Sequence, residues 1–195
     1  ISEPGFIYIA GDSELIVPPE SSASRMIRAN IPDREEFYNR FWEVDFAVTG
    51  GEGMFRTGAV TRYFIETPPV KSHEPIPGEI IAAPSAIRIS PDNPEAEISV
   101  LNGTEEPISC ALRLEIPDTS LRGISVSNSS GHSWSAELAK KLEIEPPEIS
   151  IPASEGEVVV IRSEYFAKNS EALLYIDFGD ECRIVRIRTA PCPEK

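Results

Sequence analysis

The sequence predicts an all-β chain made of tandem sandwich modules, the N-terminal one incomplete. Three observations predict it. Short β-branched and aromatic runs bounded by Gly or Pro fill the chain. Proline is abundant, 18 in 195 residues against 12 glycines. That is about twice the roughly 5% of average usage, and proline breaks helix interiors while suiting stiff corners between strands. Finally, a set of four strand-like runs occurs twice in the same order.

In chain order the first strand signals are residues 6–9, 14–17 and 24–31. Residues 40–49 follow, where Phe41, Trp42, Val44, Phe46 and Val48 put alternate bulky side chains on one face. A Gly-rich turn, Gly50-Gly51-Glu52-Gly53, leads to a strand at 61–67. The prolines Pro68, Pro69, Pro75 and Pro77 then predict an extended, semi-rigid connector. Strands resume at 80–81, 86–89, 96–101 and 108–116. In the last of these Cys110, Leu112, Leu114 and Ile116 alternate with Ala111, Arg113 and Glu115, the pattern of a half-buried strand. Residues 124–127 are a weaker signal. Residues 135–142 carry the one helical stretch, with Ser135 as its N-cap. The remaining strands are 148–151, 157–162, 173–178 and 183–189, the last two joined by a tight hairpin at Gly179-Asp180.

The repeat is read from order and spacing. Residues 14–19 resemble 148–153, 24–28 fall where 157–161 fall, 41–46 match 173–178, and 61–67 match 183–189. Pro18 to Asp45 spans 27 positions and Pro152 to Asp177 spans 25. The later copy is preceded by the early strands of a sandwich; the first copy has thirteen residues before Glu14. Residues 1–68 therefore read as the second half of one module, 69–79 as a Pro-rich linker and 80–195 as a complete module. The missing opening strands predict a fragment of a longer protein, because an open sandwich exposes apolar faces and strand edges, with completion by another chain as the alternative. A second copy of this chain is one candidate for that role.

Val17-Pro18-Pro19-Glu20-Ser21 followed by residues 25–32 is similar to the apolar, Pro, polar turn, strand signature of bacterial and archaeal immunoglobulin-like modules. Pro152 with 158–161 resembles it again. Pilus-chaperone-like and related tandem sandwich domains belong to that group. The resemblance implies tandem immunoglobulin-like β-sandwiches acting as spacers, adhesion units or assembly parts. The basic residues by which pilus chaperones anchor a subunit's C-terminus have no placed counterpart here, so that role is not carried over.

Charge narrows the partners. Lys and Arg total 18 against 32 Asp and Glu, a net charge of -14. Such a chain repels phosphate backbones and anionic membrane surfaces. No apolar run approaches the roughly 20 residues of a spanning helix. Neither nucleic acid nor membrane insertion is expected, and the acid reads first as a solubility device.

Residues able to carry chemistry are few. His73 lies in the connector and His132 in a turn-like run, Ser129 to Trp134; both read as solvated loop histidines. The acids Asp33, Glu35 and Glu36, Glu105 with Glu106, and Asp177, Asp180 and Glu181 lack calcium-loop spacing and read as turn acids. Cys110, Cys182 and Cys192 form no CxxC motif and are odd in number. Cys110 and Cys182, 72 positions apart, could bridge two sheets, and Cys182 with Cys192 is a second option; a buried Cys110 with free thiols elsewhere is the plainer reading. Asn102-Gly103-Thr104 and Asn128-Ser129-Ser130 match the glycosylation sequon. Trp42 reads as core, while Trp134, Phe37 and Tyr38 are candidate partner contacts.

No catalytic, metal or cofactor constellation emerges, so no enzyme and no cofactor are expected. The sequence predicts a structural, adhesion or assembly module that works through protein–protein contacts in a larger surface or secreted protein. The alternatives are a pilus-chaperone-like assembly factor that binds by β-strand addition, and a carbohydrate-binding accessory module. The expected location is extracellular, cell-surface or periplasmic, with a cytoplasmic scaffold as the alternative that free thiols allow.

Overall fold

The structure is a computed structural model, and it describes residues 5–12, 14, 16–18, 20–50, 57–70, 74–116, 133–166 and 169–190. The chain forms two compact units, Ile1–Phe37 and Tyr38–Lys195.

In the first unit β1 (Ile7–Ala10) pairs antiparallel with β2 (Met26–Ala29), Ile7 opposite Ala29. A 3-10 turn at Glu35–Phe37 brings Phe37 edge-on to Phe6, with ring centroids 5.4 Å apart. The strand expected at 14–17 does not form among its described residues. Ile16 is 91% exposed, so its apolar alternation has no layer to pack on. The backbone turns instead at Pro18, whose carbonyl accepts from the Ser21 N–H and hydroxyl.

The second unit begins with a long hairpin, β3 (Phe41–Gly50) and β4 (Thr57–Glu66). The sandwich follows: β5 (Ile80–Ala83), β6 (Ala86–Ile89), β7 (Glu95–Asn102), β8 (Ile108–Glu115) and the two-residue β9 (Ser133–Trp134). Next come helix α1 (Ala136–Lys141), β10 (Leu142–Glu145), β11 (Glu148–Ile151), β12 (Gly156–Ser163), β13 (Ser170–Phe178) and β14 (Glu181–Thr189). One sheet runs β10-β12-β7-β5 and the other β11-β8-β13-β14-β6, with β9 beside β13. β6 pairs parallel with β14 while β5 pairs antiparallel with β7, so the opening segment serves both sheets. This is an immunoglobulin-like sandwich.

Period-two alternation places the core between the sheets. Ile98, Val100, Val159 and Ile161 from one side meet Ile89, Leu174, Ile176, Val185 and Ile187 from the other, all fully buried. Burying one such side chain is worth about 1.5–3 kcal/mol. The predicted alternation of β8 holds, Cys110 buried and Ala111, Arg113 and Glu115 exposed. So does the Ser135 cap, whose hydroxyl accepts from the Leu138 N–H at 3.1 Å. Gly179, at φ +58, supplies the left-handed backbone that the β13–β14 turn requires.

The connector is pinned at both ends within this unit. Asn39 is buried, and its side-chain oxygen accepts from the Val70 and Ser85 N–H groups at 2.8 and 3.1 Å while its amide donates to the Val70 carbonyl at 2.9 Å. Ile76 packs on Ile81, Ala83 and Leu101. At Gly103 a Cβ would lie 1.9 Å from the Ile76 carbonyl oxygen, so only glycine permits that approach.

Candidate functional site

The hairpin β3–β4 is the feature the sandwich does not need for closure. Each strand has ten residues, against a usual five to six. The register runs from Phe41 opposite Glu66 to Gly50 opposite Thr57. Alternation gives it two chemically different faces.

One face carries Phe41, Glu43 and Asp45 on β3 and Glu66, Phe64 and Arg62 on β4. This face meets the sandwich. The Phe64 ring is edge-on to Trp134 at 5.3 Å, and the Arg186 guanidinium lies 4.9 Å from the Phe41 centroid. Glu66 pairs with Arg186 at 3.0 Å and with Arg188 at 3.7 Å. Arg188 in turn donates to the fully buried Glu171 at 2.8 Å. Burial pulls the Arg186 guanidinium below its ordinary range, opposed by Glu66.

The opposite face carries Trp42, Val44, Phe46 and Val48, flanked by Ile65, Tyr63, Thr61 and Ala59. Phe41 was expected on this face, but strand alternation sends it to the sandwich side. Since the first face is turned to the sandwich, this second one looks away from it. Phe46 and Tyr63 stack edge-on at 5.5 Å. Trp42, Val44, Phe46 and Ile65 are only half-buried, Tyr63 is 41% exposed and Val48 is 67% exposed.

Carboxylates border the hairpin. Arg62 donates to both oxygens of Asp45 at 2.8 and 2.9 Å and pairs with Glu43 at 2.6 Å. The bidentate bond holds the Asp45 carboxyl below the usual carboxylate range, whereas burial pushes Glu43 up against the pull of Arg62. Arg113 pairs with Asp177 at 2.5 Å and Glu115 at 2.6 Å, and lies 4.2 Å from the Tyr175 centroid. Burial pushes the Tyr175 phenol up to about 12, with the Glu43 charge adding to the shift. These six ionised groups are four carboxylates and two guanidiniums, an excess of two negative charges.

Of the contact candidates, Trp134 is half-buried against Phe64, its indole N–H without a hydrogen-bond partner among the described residues. Phe37 closes the 3-10 turn of the first unit, and Tyr38 opens the second, half-buried. Phe37 thus belongs to the first unit, and Tyr38 and Trp134 to the second. Cys110 and Cys182 are free thiols, the first buried and the second half-buried, and burial raises both. Cys192, His73, His132, the strand expected at 124–127 and the Asn128 sequon lie outside the described residues. Asn102 is fully buried, its amide donating to the carbonyls of Glu106, Ile151 and Pro152, so the Asn102 sequon has no room for a glycan. Among the described residues no group of three His, Cys, Asp or Glu could hold a metal ion, and no helix is long and apolar enough to cross a membrane. A hollow of about 640 Å³ beside Lys140, Lys141 and Tyr165 contains Arg162, already paired with Glu95 and Glu145.

The hairpin face escaped sequence reasoning because Trp42 aligns with the core residue Leu174 in the repeat. Its signal was present: an alternating run longer than a sandwich strand requires. No family model matches the chain, and no curated protein sequence matches it. Solved structures do. The CupB2 chaperone of Pseudomonas aeruginosa is 15% identical, over 57% of this chain and 55% of that one, with a TM-score of 0.42. The Escherichia coli chaperone DraB is 10% identical, over 60% and 57%, with a TM-score of 0.43. SSP-19 of Caenorhabditis elegans, an MSP-domain-protein-like family member, is 15% identical over 56% and 97%, with a TM-score of 0.39. The chain is thus similar over somewhat more than half the length of those chaperones.

Proposed function

We propose that this chain is a non-catalytic module that acts by protein–protein contact, with the β3–β4 hairpin as its docking element. The observation that carries this reading is the apolar face of Trp42, Val44, Phe46 and Val48 turned away from the sandwich. Apolar patches of that kind mark interaction sites. The outer edges of β3 and β4 are unpaired in the sheets formed by the described residues, and a long unpaired edge is a template for another strand. Strand addition satisfies the edge, and the apolar side chains of the added strand pack beside those of this face and extend it. The partner is a subunit under assembly if the chain is an assembly factor, and a neighbouring module if it is a spacer or adhesion unit. Trp134, Phe37 and Tyr38 stay as secondary contact candidates. A site outside the cytoplasm suits this role.

The test uses a ten-residue peptide alternating Val and Thr. Titrated into the chain, it should slow amide exchange within β3 or β4, and Val48→Asp should weaken binding about tenfold or more. Absence of protection up to the solubility limit of the peptide sinks the reading.

A further inference from the structure

We propose that the strand received by this hairpin is one that alternates apolar with basic residues, and that it pairs along β3. The inference rests on the docking role just described and adds the chemistry of the partner.

A strand laid antiparallel or parallel beside β3 places its side chains about 4.5–5.5 Å from those of β3, alternately on the two faces. On one face its neighbours are Trp42, Val44, Phe46 and Val48. Apolar residues belong there. On the other face its neighbours are Glu43 and Asp45, which share the single guanidinium of Arg62. That face is turned toward the sheet bearing Glu115 and Asp177, which share Arg113. Both trios are one positive charge short of neutrality. Glu43 and Asp45 keep 25% and 42% of their side-chain surface open, so an incoming ammonium or guanidinium can reach them.

The edge of β4 is chemically different. Its sandwich-side residues are Phe64, Arg62 and Glu66; Glu66 is already held between Arg186 and Arg188, and Arg62 would repel a basic strand. Charge therefore selects β3. It also argues against a second copy of this chain as the occupant, since two molecules of net charge -14 repel each other. A basic strand is drawn by the same field.

The experiment compares decapeptides on the intact chain: alternating Val and Lys, alternating Val and Thr, alternating Val and Glu, and a scrambled peptide of the Val/Lys composition. Each exposed ion pair contributes a few-fold. Two or three lysines beside carboxylates should make Val/Lys bind about tenfold tighter than Val/Thr at low salt, with Val/Glu weakest. Exchange should slow in β3. The advantage should shrink in high salt and disappear in Glu43→Gln/Asp45→Asn, while Val/Thr affinity holds. The salt series on the unaltered chain gives the same answer if that double variant folds poorly. Equal binding of Val/Lys and Val/Thr overturns the inference and leaves the docking role standing. So does protection confined to β4, or scrambled peptide binding as tightly as alternating peptide. If no peptide binds, the docking role and the inference fall together.

Discussion

Tyr175 shows how one residue ties the hairpin to the sandwich. It is 9% exposed on the outer side of β13, with Arg113 over its ring and the Glu43 charge nearby. A buried phenol resists ionisation, and here the folded value rises from 10.0 to about 12. Below pH 10 the phenol is neutral in both states and contributes no pH dependence. Between the two values the unfolded chain releases the proton first, so stability falls as pH rises through that window. At 1.36 kcal/mol per pKa unit the loss is about 2–3 kcal/mol. Urea midpoints across that range should drop, and Tyr175→Phe should remove most of the drop. Asn39 is a second such residue: a left-handed non-glycine at φ +55 held by its own side-chain bonds to Val70 and Ser85. Nothing in the sequence marked Asn39, because its partners lie 31 and 46 positions away.

At the scale of elements, the hairpin is seated by charge on one side only. Glu66 is the single carboxylate shown to meet both Arg186 and Arg188, and Arg186 is almost wholly buried. Removing one partner of a buried pair costs about 3–5 kcal/mol, because it leaves the other charge desolvated. Glu66→Gln should therefore lower the denaturant midpoint. Amide exchange should quicken in β3–β4 before it does in β7 or β13, showing that the hairpin loosens first. The strands themselves were mostly legible, since period-two alternation is local. β9 and β10 were not: β9 has only two residues beside β13, and β10 continues straight out of α1, so the alternation of Leu142 and Ile144 with Glu143 and Glu145 is too short to stand apart from the helix. The run at 14–17 was misread for the converse reason. A β-prone composition makes a strand only where a neighbouring strand can pair with it.

For the whole molecule, the excess of 14 negative charges is spread over the chain and works against compaction. Raising ionic strength from about 0.01 M to about 0.15 M shortens the screening length from about 30 to about 8 Å. The thermal midpoint should rise over that range before specific ion pairs are weakened; a flat or falling midpoint would show that ion pairs such as Arg62–Asp45 outweigh the repulsion. The sandwich class was legible from prolines, turn signals and alternation taken together. Which face of the hairpin met the sandwich was not. That depends on Phe64, Arg186 and Glu66 meeting across the fold, and such pairing leaves no local pattern.

The loop around Asn102 bears on how the molecule ages. An asparagine followed by glycine ordinarily cyclises when the glycine nitrogen attacks the side-chain carbonyl, and the amide is lost as ammonia. Here the Gly103 N–H is engaged by the Glu79 carbonyl at 2.7 Å, and the Asn102 amide is spent on three carbonyls while its oxygen accepts from Thr104. Neither atom is free to swing toward the other. The contacts that close the sandwich thus also shield its most perishable dipeptide, and the chemical lifetime of that bond becomes a readout of whether this corner of the fold is shut.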